Sequence, residues 1–175
     1  MNGAEIAVLD AIQGLRCGFL DAAVPWVTSL GDKGLIWIAL TAVLLVIPRT
    51  RRVGVAVAVS LVLELLLCNV LLKPLIARPR PFDVAGFDGL LVAPPGDFSF
   101  PSGHTGASFA CAAALFFSGS RLWVPTLALA VVMGFTRLYL YVHYPTDVLA
   151  GALLGVATGW VGAAAARRLA QRGGE

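Results

Sequence analysis

Apolar residues dominate long stretches of the chain, and short polar, proline-bearing segments separate them. The longest clean run covers residues 53–72, about the 20 residues needed to cross the hydrocarbon core of a bilayer. Runs at 35–47, 104–117 and 122–142 fit the same role, the first and second of these by borrowing neighbouring uncharged residues. A fifth, 146–166, is rich in alanine and glycine and sets Gly151, Gly155 and Gly159 four apart on one helical face. Small residues at that spacing let helices approach closely in lipid. The alternative is a glycine-rich span that is merely tolerated.

The first 33 residues differ. Ile6, Leu9, Ile12 and Leu15 give a loose helical period, with Glu5 and Asp10 on the other side. This predicts an amphipathic helix in the membrane interface. Residues 19–30 contain Asp21 and Pro25 and are expected to form a short wedge that does not cross. The predicted architecture is an all-α, polytopic transmembrane helix bundle of five spans, with six as the alternative count. Residues 1–33 are expected to form its interfacial segment and 34–170 its transmembrane domain.

Composition strengthens the membrane reading. Of 175 residues, 58% are hydrophobic and 13% charged, against roughly a quarter charged in soluble domains. The net charge is +3, and no basic tract is interleaved with aromatics, which argues against nucleic acid as a partner. Cys17, Cys68 and Cys111 lack metal-ligand spacing, and the last two lie inside apolar runs as small hydrophobes. Glu5 and Asp10 stand where a cleavable signal would carry lysine or arginine.

Basic residues orient the spans. With five spans, Arg49, Arg51 and Arg52, Arg121, and Arg167, Arg168 and Arg172 all fall on one side, which the positive-inside rule makes cytoplasmic. The opposite side then carries the connections at 73–101 and 144–145. The expected location is the inner (plasma) membrane, with the site facing outward.

The chemically unusual residues gather at that outer side. Lys73, Arg78 and Arg80 follow the second span, stiffened by Pro74, Pro79 and Pro81. Alone, they would also suit a snorkelling cluster for lipid headgroups. Pro101-Ser102-Gly103-His104 opens the third span, where free amides, the Ser102 hydroxyl and a close-approach glycine suit an anion. His104 is either a proton-transfer group or a satisfied polar residue. His143 and Asp147 are four apart around a helix start at Pro145, so Asp147 is positioned to orient the ring unless it serves only as an N-terminal helix acid. Arg137 returns a guanidinium to the same end. Together these groups supply cations, amide donors and two histidines for phosphoryl transfer. No carboxylate or cysteine cluster offers a metal cage, so no metal or other cofactor is expected.

The pattern resembles the type 2 phosphatidic acid phosphatase (PAP2) superfamily, which includes vanadium haloperoxidases. Its motifs KxxxxxxRP, PSGH and SRxxxxxHxxxD match Lys73 through Arg80-Pro81, Pro101 through His104, and Arg137 through His143 to Asp147. Thr136 stands in place of the family serine and keeps a hydroxyl. The resemblance implies that His143 attacks phosphorus and Asp147 orients it. It implies that His104 protonates the leaving oxygen and then activates water. Lys73, Arg80, Arg137, Ser102 and Gly103 would hold the phosphate oxygens. Arg78 has no family role, and a headgroup or second-phosphate contact is the hypothesis for it.

The implied substrate is a phosphorylated membrane lipid. Small members of this kind resemble undecaprenyl-diphosphate phosphatases, and phosphatidylglycerophosphate, phosphatidate and lipid A phosphatases share the motifs. The loop 82–100, with Asp83, Asp88 and Asp97, is expected to shape headgroup preference. Glu64 and Asn69 inside a span are either functional groups or interhelical hydrogen-bond partners. Two other classes remain: a haloperoxidase, which has no reason to be embedded in lipid, and a non-enzymatic lipid-binding or transport protein.

Overall fold

The computed structural model describes residues 2–172, which are predominantly helical with no strand among them. In chain order the helices are α1 (Asn2–Gln13), α2 (Gly18–Ser29), α3 (Leu35–Val46), α4 (Arg51–Leu65), α5 (Lys73–Ile76), α6 (Pro81–Ala85), α7 (Gly103–Phe117), α8 (Trp123–Tyr139) and α9 (Pro145–Arg172). A π-helical stretch, Leu66–Leu72, carries α4 into α5. The all-helical membrane bundle expected from the sequence is the architecture found.

α7 stands at the centre and packs on α9, α8 and α4, while α9 also packs along α4. The glycine stripe explains the closeness of α7 and α9. A Cβ on Gly151 would lie 2.5 Å from the Ser102 carbonyl oxygen, and one on Gly159 would lie 2.5 Å from the Ala113 Cβ. At Gly155 a Cβ would collide with the Gly106 carbonyl oxygen. Backbone therefore meets backbone, and the stripe is a packing surface rather than a tolerated composition. This contact positions the site, because Gly103 begins α7 and Pro145 begins α9 at the same end of the bundle.

The N-terminal segment is docked on that end. Leu9 is fully buried in a cluster with Tyr139, Leu140, Tyr141, Val142 and Tyr144, and Ile6 and Ile12 pack against it. Gln13 Nε2 donates to the Tyr139 carbonyl at 2.9 Å, and the Tyr141 hydroxyl donates to Asp10 at 2.7 Å. Tyr141 adopts φ 60°, a left-handed turn that reverses the chain between α8 and α9.

Two helical stretches, Arg51–Ala85 and Pro145–Gln171, are long and apolar enough to cross a membrane. Gly18–Ser29 and Asp32–Val46 qualify as a pair, bent by 44° at their junction. Gly103–Phe117 and Trp123–Tyr139 are apolar but shorter. α7 begins at Gly103, as its apolar run leads one to expect, whereas α8 stops at Tyr139, ahead of the 140–144 turn, and is shorter than its run where the site is built. Large apolar side chains such as Leu149, Leu153 and Trp160 on α9 point outward, as a lipid-facing surface requires.

Replacing Gly155 with Ala is expected to lower the thermal midpoint in detergent, by the equivalent of about 1–3 kcal/mol of overpacking. Gly18→Ala, at a helix start with open space around it, is the matched control and should leave the midpoint unchanged.

Candidate active site

Four segments meet at one end of the bundle. α4 and α8 arrive there, and α7 and α9 leave. Lys73 follows directly on the π-helical stretch, whose wider turn sets the direction of its side chain. Ala77 ends α5 with φ 48°, a conformation costing an ordinary residue roughly 1–2 kcal/mol. Arg80 is extended, and Pro81 opens α6 at a position where its missing N–H is no loss. The polar stretch between the two short helices therefore presents Arg78 and Arg80 in different directions.

Lys73 and Arg80 are both buried and share one partner, Asp97. Lys73 Nζ pairs with Asp97 Oδ2, and Arg80 Nη2 bonds Oδ1 at 2.5 Å. Arg80 Nε also donates to the Asp97 carbonyl at 2.8 Å, and Nη1 to the Val142 carbonyl at 2.7 Å. Partial burial works to raise the Asp97 carboxyl pKa, but the bonds and charges of Lys73 and Arg80 outweigh it and hold it at about 2. Arg137 comes from the last turn of α8, where Nη1 donates to the Thr28 hydroxyl at 2.6 Å. Its Nε is buried with no partner. Thr136 spends its hydroxyl on the Met133 carbonyl of its own helix at 2.7 Å.

His143 lies between α8 and α9 and is 2% exposed. Its Nε2 is 3.4 Å from Arg80 Nη1. Its Nδ1 is 3.6 Å from Asp147 Oδ2, beyond hydrogen-bond reach, so this pairing is electrostatic and Nδ1 has no hydrogen-bond partner. Burial lowers the pKa of His143 most, Asp147 opposes that, and the charges of Arg80 and Arg137 add to it. The result is about 3, well under the ordinary 6.5.

A cavity of about 880 Å³ opens in front of these groups. Lys73, Arg80, Arg137, His143, Gly103 and His104 line its polar end together with Asp32 and Asp97. His104 faces Asp32, with 3.1 Å between Nε2 and Oδ1. Val92, Ala93, Pro94 and Pro95 roof the polar end, so the loop expected to shape headgroup preference does line the site. The lining also has an apolar part, with Ile38 of α3 and Leu61, Val62 and Leu65 of α4, beside the carboxyl of Glu64. Ile38, Val62 and Leu65 are each more than half exposed on the outside of the bundle.

Six of the eight site residues expected from the sequence thus share the cavity. Ser102 and Asp147 stand behind it. The Ser102 hydroxyl pairs with the Thr105 hydroxyl at 3.0 Å, and its N–H donates to the Asp147 carbonyl at 3.1 Å. Asp147 is fully buried and accepts from the Ser99 hydroxyl and the Tyr144 N–H, at 2.5 and 2.9 Å. Glu64 is buried against Gly106 of α7, with Oε1 lacking a partner, and it and Asn69 touch the cavity. Sequence reasoning missed Asp32, Thr28 and Glu5 as site neighbours, since each comes from the N-terminal region that had been set apart.

The family model of the PAP2 superfamily matches residues 53–170. The undecaprenyl-diphosphatase of Sulfolobus acidocaldarius is 37% identical over 154 residues, covering 87% of this chain and 74% of that protein. The lipid A 4'-phosphatase of Bacteroides thetaiotaomicron is 35% identical over 114 residues, 61% of this chain and 51% of the relative. Among solved structures, the PAP2-type phosphatidylglycerolphosphate phosphatase from Bacillus subtilis superposes with a TM-score of 0.78 at 25% identity. It covers 95% of this chain and 86% of that one. The chain belongs to the PAP2 superfamily, as a membrane phosphatase.

The depressed pKa of His143 has a consequence for stability. In the unfolded chain the imidazole takes up a proton as pH falls through 6.5, whereas the buried ring stays neutral until much lower pH. Wild-type stability should therefore fall with pH from 6.5 toward 3, by up to roughly 1.4 kcal/mol per pH unit. His143→Gln removes that proton uptake. Thermal midpoints at pH 7.5 and 5.0 should drop more for wild type than for the variant.

Proposed function

We propose that this membrane lipid phosphatase cleaves a phosphate from a lipid diphosphate or phosphomonoester through a covalent phosphohistidine on His143, with undecaprenyl diphosphate the best-supported substrate. One observation carries the proposal: the Nε2 edge of a neutral, buried His143 faces a cavity in which Lys73, Arg80 and Arg137 converge and His104 stands among the lining residues.

In the first step the lone pair on Nε2 of His143 forms a bond to phosphorus while the bond from phosphorus to the leaving oxygen breaks. His104, once it carries a proton stabilised by the facing Asp32 carboxylate, gives it to that oxygen, which leaves as the lipid phosphate or alcohol. Asp147 balances the positive imidazole charge from the Nδ1 side. In the second step His104 takes a proton from water, the oxygen attacks phosphorus, and the N–P bond breaks to release phosphate and restore His143. Lys73, Arg80 and Arg137 neutralise the phosphoryl oxygens throughout, with the Gly103 amide at the start of α7 beside them. The incoming phosphate takes over the contacts that Asp97 makes with Lys73 and Arg80. No metal has a step in this scheme.

The apolar part of the cavity supports a lipid leaving group, since the tail can pass Ile38, Val62 and Leu65 into the acyl region while the phosphate stays at the cations. The orientation proposed is outward, in the plasma membrane. Arg49, Arg51, Arg52, Arg121 and Arg167 lie at the helix ends remote from the site. Residues 1–33 form an interfacial segment beside a catalytic domain of 34–170. A diphosphate substrate is favoured by the 37% identical undecaprenyl-diphosphatase. Phosphatidylglycerophosphate, phosphatidate and lipid A phosphates are the second reading, and two relatives named for such substrates support it.

The test is phosphate release by detergent-purified protein in EDTA, with these lipids offered in parallel. Release should persist in EDTA and be fastest with undecaprenyl diphosphate. His143→Ala should lose it, and His104→Ala should lose about 10²–10⁴-fold, the range of general acid–base catalysis. Release that EDTA abolishes, or that His143→Ala retains, contradicts the reading.

A further inference from the structure

Arg78 is the cation of the 73–81 segment that has no step in phosphoryl transfer. It follows Ala77, whose left-handed backbone turns it away from Arg80, and the cavity lining contains Lys73 and Arg80 but not Arg78. Its Nη1 bonds Asp147 Oδ1 at 2.5 Å and the Thr146 hydroxyl at 2.8 Å. Its Nη2 bonds Glu5 Oε2 at 2.6 Å, and its guanidinium carbon stands 3.8 Å over the centre of the Tyr144 ring. Glu5 in turn accepts from the Thr146 N–H at 3.1 Å and the Thr146 hydroxyl at 2.6 Å. One carboxylate from α1 thus caps the first turn of α9 and holds the arginine that grips Asp147.

We propose that Arg78 is a positioning residue for the nucleophile: with Glu5 of α1 it fixes the Asp147 carboxylate in the orientation His143 uses. The proposal rests on His143 being the nucleophile. Asp147 is fully buried, and a buried carboxylate needs a paired cation and a full set of hydrogen bonds. Arg78 occupies Oδ1, while the Ser99 hydroxyl and the Tyr144 N–H occupy Oδ2. Oδ2 is also the atom nearest His143 Nδ1, at 3.6 Å. With the carboxylate held from three directions, a small movement of the ring completes the orienting hydrogen bond. Without Arg78 the carboxylate can rotate about its own bond, and the ring loses its reference. The planar fork of arginine serves Asp147, Thr146 and Glu5 at once, which a lysine ammonium on a flexible stem does not. The N-terminal helix thereby becomes part of the catalytic scaffold.

The test uses full-length protein in detergent with undecaprenyl diphosphate, measuring kcat, KM and competitive inhibition by inorganic phosphate. Arg78→Met should lower kcat by about 10–100-fold, the usual scale for a group that orients a reacting ligand, with KM and phosphate inhibition within about twofold of wild type. Arg78→Lys should recover part of the loss, and Glu5→Gln should lose about 3–10-fold in kcat alone. Unchanged phosphate inhibition shows that Lys73, Arg80 and Arg137 are still in place. If Arg78→Met does not fold, Arg78→Lys and Glu5→Gln decide by the same split. A raised KM with kcat unchanged overturns the proposal in favour of a headgroup contact, and unchanged kcat in both Arg78→Lys and Glu5→Gln overturns it outright. Failure of the underlying reading is separate, because His143→Ala would then keep wild-type turnover.

Discussion

Positive charge is concentrated in a place where a membrane protein can least easily hold it. Lys73, Arg80 and Arg137 are all buried at one end of a helix bundle, and one exposed carboxylate, Asp97, bonds two of them. Arg137 has the Thr28 hydroxyl on Nη1 and a buried Nε with no partner. Such a cluster is costly unless an anion joins it. Much else at this end follows from that shortage of negative charge. It suits the cavity to the anionic group that the proposed reaction requires, and the charges of Arg80 and Arg137 oppose protonation of the neighbouring His143.

Holding the cluster together requires backbone held close to backbone. The glycine stripe of α9 brings its first turn against the start of α7, so that the Ser102 N–H reaches the Asp147 carbonyl. That contact ties the segment bearing His104 to the segment bearing His143 and Asp147. The same end is closed from the other side by α1 and the 139–144 turn, where Leu9 and three tyrosines form a small core of their own. In the proposed mechanism rigidity here has a chemical purpose, because a phosphoryl group would have to meet nitrogen and proton donor in line. The apolar flank between α3 and α4 is the part left open to lipid.

Much of this was legible in the sequence because the motifs are local and the glycines periodic. Lys73, Arg80, His104, Arg137 and His143 announced themselves by spacing, and Gly151, Gly155 and Gly159 by recurring every four residues. Arg78 was visible as a cation but its partners were not, since its direction depends on the left-handed turn at Ala77, and alanine carries no signal for that conformation. Glu5 read only as the polar side of an amphipathic helix, because its partners lie 73 and 141 residues away. Asp32 and Thr28 were hidden for the same reason. Apolarity alone overestimated only α8, because the apolar run continues to residue 142 while the helix ends at Tyr139.

The central claim is that phosphate passes through His143 itself. Turning over enzyme with substrate labelled in the terminal phosphate, quenching rapidly in alkali and mapping the label by mass spectrometry tests it directly. An alkali-stable, acid-labile phosphate is expected on the peptide containing His143, absent when His104 and the lipid are present but His143 is replaced. Label on another side chain during turnover would contradict it.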